Sequence, residues 1–413
     1  MLLRAKIRQF ASCLVPPSGT DGGVGRILAA RSLPGFCDGY VAVLLPVYLL
    51  ALGYGQLEVG LTGSATLFGS ALTTIAVGAI GPRYPLRRML IWAAVLMTAT
   101  GLGFASLSSW WPLMLIAFVG TLNPSSGDVS LFLPLEQSRL AELATADART
   151  VIFARYSLAG ALSAAVGAFA AAVPAWLVSR AEVEMLTALR IMLFAYALAG
   201  AMLCWPYRGL PERPPAHSSA RVSLGPSRRV VTRLALLFSV DAFAGGLVVN
   251  SLLSLWLLQR FGLSLGIVAQ FFFWTGLLSA ASQLVAVPLA RKVGLLNTMV
   301  FTHIPSSLCL IGAAFCSSMW ATLTLLLIRS ALSQMDVPTR TAYVMSVVTP
   351  PERPAAASFT AVPRSLAAAI APMLAGVMMA SGYVGAPLVA CGVLKITYDL
   401  TLLRVFRRVD ITH

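Results

Sequence analysis

The sequence predicts an all-α integral membrane protein, with twelve membrane-crossing helices arranged as two pseudo-symmetric bundles of six. Three observations lead there. The 413 residues are 58% hydrophobic and only 11% charged, with a mean hydropathy of +0.83, whereas a soluble domain is about one quarter charged. Apolar runs recur along the whole chain, each reaching the roughly 18 residues a helix needs to cross the hydrocarbon layer. They lack the alternation of barrel strands, and the bilayer leaves a bare backbone no other way to satisfy its polar groups. Finally, the second half of the chain repeats features of the first in the same order.

In chain order the expected spans are 33–53, 59–79, 88–107, 111–134, 151–176 and 187–205, then 234–258, 267–289, 297–317, 320–346, 357–380 and 385–405. The first carries Asp38 near its start, and the second is followed by the basic loop "RYPLRR". The fourth begins at the interfacial pair Trp110–Trp111 and is interrupted by Asn123, Pro124, Ser125, Ser126 and Gly127, a bend that opens backbone groups to a cavity. The fifth and eleventh, "LAGALSAAVGAFAAA" and "LAAAIAPMLAG", are rich in small residues that allow close helix packing. Between the sixth and seventh lies "YRGLPERPPAHSSARVSLGPSRRV", whose proline, serine and arginine mark a linker. The organisation is therefore an N-terminal cytoplasmic segment 1–32, a bundle 33–205, a linker 206–233, a second bundle 234–405 and a tail 406–413.

The formal charge of +15 is distributed as topology rather than as a nucleic-acid footprint. Arg4, Lys6, Arg8, Arg26 and Arg31 precede the first span. Arg83, Arg87, Arg88, Arg139, Arg149, the linker arginines, Arg291, Lys292, Arg353 and Arg404 fall at alternate connections. Basic loops stay in the cytoplasm, which places both termini and the linker there. The preference for arginine over lysine suggests a GC-rich genome, and the expected location is a bacterial inner membrane. The N-terminus lacks the apolar core of a cleaved signal peptide. Six cysteines are scattered, and His217, His303 and His413 form no cluster in the sequence. No metal site, cofactor motif or nucleophile–base pairing is expected, and the chain is read as no enzyme.

The repeat is visible in particular residues. "GDVSLFLPLEQ" aligns with "MDVPTRTAYVM", setting Asp128 opposite Asp336, and Asp38 has its counterpart in Asp241. Such halves usually enclose a central site and rock about it. The stretch "LPVYLLALGYGQLEVGLTGSATLFGSALTTIAVGAIGPRYPLRRML" resembles the first two helices and first cytoplasmic loop of the major facilitator superfamily. Gly78, Ile80, Arg83, Arg87 and Arg88 fit or nearly fit that family's loop pattern. Pro82 and Pro85 replace its acid and second glycine, so the usual carboxylate latch is not assigned here. The second copy, "LARKVG", keeps Gly294 but has Arg291 at the acid position. The tenth span, "RSALSQMDVP", and the "TPPERPAAAS" and "APMLAG" stretches after it also look like the family, and the resemblance covers residues 30–405. It implies secondary transport by alternating access, in a form similar to drug–proton antiporters.

Ionisable groups at membrane depth cost at least about 2.5–3.5 kcal/mol each and should be paired or face a cavity. Asp336 and Arg340, one turn apart, are expected to pair as a latch at the cytoplasmic ends, with Asp128 repeating the acid. Arg329, roughly 13 Å into its span, has no counterpart in the fourth helix and is a candidate to contact substrate. Asp241 either carries a coupling proton or is fixed by Arg329 or Lys395. Asp38 either does the same or caps its helix, and Lys395 and Asp399, spaced i,i+4, are expected to satisfy each other. Asn123 and Asn250 add neutral polar groups at cavity depth. The leading expectation is proton-coupled efflux of a small, partly apolar compound by a monomer in the lipid bilayer. An organic-anion transporter binding a carboxylate at Arg329 is the second expectation, and a non-transporting sensor or scaffold a remote third. A loss of coupling in Asp241→Asn separates the first from the second, which should instead fail in Arg329→Ala.

Overall fold

The computed structural model describes residues 22–80, 83–125, 131–143, 146–211, 225, 227–349 and 352–406. Among these residues the chain is helical throughout, without strands. The first half comprises α1 (Gly22–Ala51), α2 (Gln56–Ile80), α3 (Leu86–Ser106), α4 (Trp110–Val119), α5 (Phe132–Leu143), α6 (Ala146–Ala170), α7 (Val173–Ala181) and α8 (Met185–Arg208). The second comprises α9 (Arg228–Gly246), α10 (Asn250–Phe261), α11 (Leu265–Val293), α12 (Leu295–Phe315), α13 (Met319–Ser333), α14 (Asp336–Ser346), α15 (Arg353–Ala380) and α16 (Ala386–Phe406). Ten stretches among the described residues are long and apolar enough to cross a membrane. The expected fourth and tenth spans are absent from that set because the chain breaks each into two shorter helices.

The breaks have local causes. After Gly120 the segment "TLNPS" leaves the helix, and the Asn123 Oδ1 accepts from the Ser125 backbone N–H at 3.1 Å and from its hydroxyl at 2.7 Å, a turn that competes with helix. In the tenth span, Pro338 has no N–H for the carbonyl of Gln334 and its ring crowds that group, so α13 ends and α14 restarts at Asp336. The seventh span, expected to be continuous, stops at the Gly245–Gly246 pair and resumes at Asn250. Two other boundaries differ from expectation. Helix α1 begins at Gly22, within the segment assigned to 1–32, and the helices flanking the linker run to Arg208 and from Arg228, inside the 206–233 range.

Within the first half, α1 packs on α6 and α8, and α3 on α8. In the second, α9 packs on α15, and α12 on α13 and α16. The α1–α6 contact is so close that a Cβ on Gly39 would lie 2.0 Å from the Ala164 carbonyl oxygen. The halves meet chiefly through α2 against α15 and α6 against α11. Several contacts between the halves sit toward the end where α1 turns into α2. Gln56 donates to the Gln259 side-chain oxygen at 2.5 Å, the Met373 N–H donates to Ser64 Oγ at 2.8 Å, and Phe169 meets Phe273 at 5.6 Å between ring centroids. Toward the opposite end, where the linker lies, Thr74, Ile75 and Ala76 of α2, Leu284 and Val287 of α11, and Val362 and Pro363 of α15 are all exposed. The molecule is closed at the α1–α2 turn and splayed at the linker end.

One contact at the linker end ties that region down. Glu352 accepts hydrogen bonds from Ser227, from Thr349 Oγ1 at 2.8 Å and from the Gly225 N–H, joining the end of the linker to the α14–α15 connection. These donors, the Ser227 hydroxyl foremost, hold its carboxyl below the usual glutamate value of 4.5. A depressed acid contributes its stabilisation above the unfolded value and loses it as pH falls through the folded one. Hydrogen exchange at residues 227–231, corrected for intrinsic rates, should therefore lose protection below pH 4.5, and Glu352→Gln should abolish that acid step. At the closed end, a Cβ on Gly60 would stand 2.5 Å from the Pro372 carbonyl oxygen. Overpacking costs about 1–3 kcal/mol. In a cysteine-free background, cross-linking of a Gln56→Cys/Gln259→Cys pair should fall about tenfold when Gly60→Leu is added.

Candidate functional site

The second half encloses a chain of six ionisable side chains contributed by four helices. Asp241 of α9 stands at its centre, nearly buried. Lys395 of α16 donates to Asp241 Oδ1 at 2.7 Å, and Arg340 of α14 to Asp241 Oδ2 at 3.1 Å. Arg340 also reaches Asp336 Oδ2 at 3.0 Å, one turn back on α14. On the other side, Lys395 Nζ lies 3.1 Å from His303 Nε2 of α12, and His303 Nδ1 lies 3.1 and 3.2 Å from the two oxygens of Asp399. Aromatic rings wall the group. Phe238 lies under the Arg340 guanidinium at 5.7 Å, and Tyr398 meets the His303 ring edge-on at 6.3 Å. Lys395, with 14% of its side chain exposed, is the most open member.

The local geometry follows from the backbone. The break before Asp336 makes it the first residue of α14, where the helix N-terminus favours a carboxylate. The same break lets α14 carry Arg340 to Asp241, so Asp336–Arg340 is one end of this network and not a separate latch. The i,i+4 pairing expected of Lys395 and Asp399 does not form. Each has a partner on another helix instead, because a buried ion pair holds only when its remaining donors and acceptors are also satisfied. Of the two partners weighed for Asp241, the structure brings Lys395 to it and not Arg329. Arg329 lies half-buried on α13, and its guanidinium has no hydrogen bond or ion pair among the described residues. His303 is the member the sequence reading missed. It stands alone in "VFTHIPSSL", and an ionisable residue inside an apolar span was the available signal.

The first half carries a different polar core. Glu136 of α5 is fully buried and accepts from the Tyr156 hydroxyl at 2.5 Å and the Tyr207 hydroxyl at 2.6 Å. Arg31, assigned to the pre-span segment, is instead buried in α1 with its guanidinium 5.1 Å over the Tyr156 ring. Arg139 is likewise buried, paired with Glu142 at 2.5 Å and donating to the Pro211 carbonyl. Asp38 is buried deep within α1, well past that helix's start, which rules out capping, and Arg31 and Asn123 stand beside its carboxylate. Asn250 opens α10 after the break in the seventh span. Next to it, the Ser251 N–H donates across the halves to the Pro124 carbonyl at 3.0 Å. Gly78 lies near the end of α2, where a Cβ would meet nothing within 4 Å; Arg83 and Arg88 are exposed and Arg87 half-buried. Asp128 lies outside the described residues.

Residues 27–335 match the family described as the Major Facilitator Superfamily. An uncharacterized membrane protein of Saccharomyces cerevisiae, YJR124C, is 23% identical over 403 residues, covering 89% of this chain and 90% of that protein. In three dimensions the chain is similar to the inward-open xylose transporter XylE from E. coli, with a TM-score of 0.72, 15% identity and coverage of 92% and 96% of the two chains. It is also similar to the human organic anion transporter MFSD10, with a TM-score of 0.64, 17% identity and coverage of 94% and 100%.

Removing one partner of a buried ion pair strands the other at a cost of about 3–5 kcal/mol. Asp241→Ala should therefore lower stability in lipid nanodiscs by that order, and adding Lys395→Ala should recover part of it. Arg329→Gln, which removes no partner, should leave the thermal midpoint close to that of the parent protein.

Proposed function

The chain belongs to the major facilitator superfamily, and from that premise we propose that it is a proton-coupled secondary transporter. By alternating access it exports a small, partly apolar compound in exchange for protons. The observation that carries this reading is the placement of Asp241. It is an acid buried at membrane depth, shared by two cations, in a cluster where carboxylates outnumber the fixed positive charges. Retaining several such groups in hydrocarbon is costly unless they act on a substrate or an ion. A carboxylate whose partners can be exchanged can hold a proton in one conformation and give it up in another.

The asymmetry of closure supports alternating access. With the basic connections taken as cytoplasmic, the splayed linker end faces the cytoplasm, the side from which an exporter loads. On this reading the protein sits in a bacterial inner membrane with both termini inside and works as a monomer. A second reading has its own observation. Arg329, whose guanidinium has no hydrogen bond or ion pair among the described residues, and the partly exposed Lys395 are cations suited to a carboxylate on an organic anion.

Everted membrane vesicles, acidified by respiration and carrying a lumenal pH dye, test both readings. Drugs, organic acids and sugars are added in turn. Proton release evoked by a partly apolar compound and lost in Asp241→Asn is the expected outcome. Silence across the panel from folded protein overturns proton-coupled export. Uptake of an organic acid that falls at least tenfold in Arg329→Ala, with or without proton movement, establishes the second reading instead.

A further inference from the structure

The break in the seventh span opens a cleft at the closed end of the molecule. Helix α9 packs on α16, whereas α10, beyond the Gly245–Gly246 pair, packs on α1 of the first half. The Ser254 hydroxyl ties that turn down by donating to the Val43 carbonyl at 3.2 Å. Between α10 and α16 the divergence leaves a cleft of about 910 Å³, within the roughly 300–1,000 Å³ of small-ligand sites.

One end of the cleft is polar. Trp256, Gln259 and Arg260 line it at spacings of three and four residues, so they share one face of α10. Trp256 is buried, and its indole N–H, which can only donate, has no hydrogen-bond partner among the described residues. Arg260 is exposed, with no hydrogen bond or ion pair among the described residues. The Gln259 side-chain oxygen is taken by Gln56 at 2.5 Å, which leaves its amide hydrogens to donate. Among the described residues that line the cleft, none is acidic. Glu58, two residues beyond Gln56, accepts from the Gly55 N–H at 2.9 Å and does not line it. Donors and a positive charge therefore gather without an anion.

The rest of the cleft is apolar. Ala386, Val389, Ala390 and Val393 line it at i, i+3, i+4 and i+7, a stripe running about 10 Å down α16 from its start. Val393 at the deep end is exposed, as are Phe315 and Tyr383 at the rim. On a membrane-spanning helix such exposure faces lipid, and a tyrosine at a helix end marks the interface. The cleft thus opens sideways into the hydrocarbon layer, with its donors at the level of the headgroups.

We propose that this cleft binds an anionic phospholipid from the leaflet at the closed end, with its head at Arg260 and one acyl chain along α16. The phosphate oxygens accept from the guanidinium and from the Gln259 amide, a charge-assisted pairing. Trp256 lies one turn, about 6 Å, deeper than Arg260. That is the level of the glycerol ester carbonyls, and the indole N–H donates to one of them. A zwitterionic lipid fits less well, since no carboxylate lines the cleft to take its ammonium. Gln56, at the polar end, comes from the first half. The site is complete only while the halves meet at this end, and a bound lipid favours that conformation.

Native mass spectrometry of the full chain, titrated with phosphatidylglycerol, tests this. The first lipid bound should be held about tenfold more weakly by Arg260→Gln, and roughly threefold more weakly by Trp256→Phe, which keeps a ring and loses the donor. Ala390→Trp, which fills the apolar groove, should weaken it as well. Arg180→Gln, at an exposed cation of α7 in the first half, should leave it unchanged. Phosphatidylcholine should bind the parent protein about tenfold more weakly, and glycerol 3-phosphate, a head without chains, should not compete. Arg260 is on the surface, so Arg260→Gln carries the comparison alone if the other cleft variants do not fold. Parent-like binding of phosphatidylglycerol by Arg260→Gln overturns the proposal, and so does equal binding of phosphatidylcholine. Glycerol 3-phosphate that competes in the parent and not in Arg260→Gln overturns it in favour of a soluble anion.

Discussion

The carboxylate of Asp241 is the point from which the second half is organised. A charge there has no water to solvate it, so it holds only if cations reach it with good geometry and their own remaining donors are satisfied. Lys395 and Arg340 meet that need from two different helices, and each is in turn tied to a further group, His303 and Asp336. The relative placement of α9, α12, α14 and α16 is therefore fixed by polar contacts as well as by apolar packing. The first half solves the same problem differently. Glu136 is held by two phenol donors, with Arg31 nearby between it and Asp38.

Broken helices make this arrangement possible. A continuous tenth helix would carry Asp336 as an interior residue, with no free helix end beside it. The restart after Gln334 gives that acid a helix N-terminus and directs Arg340 toward α9. The interruptions of the fourth and seventh spans release backbone groups at membrane depth, where each must find a partner inside the protein. Those two interruptions face one another, and part of the need of each is met by the other.

Much of the fold was legible because hydrocarbon-length apolar runs and paired acids are coarse signals that tertiary context does not override. The fourth-span break could be read from Asn123 and Pro124. The tenth could have been read from Pro338, which conflicts with the carbonyl four residues earlier, whereas Gly245–Gly246 is equally compatible with a continuous helix. The site was legible residue by residue but not as a network. Asp241, Arg340, Lys395 and Asp399 stood out as charges in apolar sequence. Spacing on one helix suggested that Lys395 and Asp399 meet, yet the geometry that decides partners runs between helices and leaves no mark on local sequence. His303 belongs to no cluster along the chain, and only the packing of α12 on α16 brings it to Lys395 and Asp399. Arg31 and Arg139 look like loop charges in the sequence because their burial depends on partners far away in it.

The hydrogen bond from the Ser251 amide to the Pro124 carbonyl has a consequence for how the molecule moves. It joins main chain to main chain across the two halves at the interruptions of both helices, where neither group can return to a helical partner. Any motion that parts the halves at this end must break it, and the two groups then need a replacement immediately, since a bare amide in hydrocarbon costs several kcal/mol. Water is the available replacement, and it can arrive only from the side that is opening. In the alternating-access cycle proposed above, hydration of these two groups is therefore part of the conformational step itself.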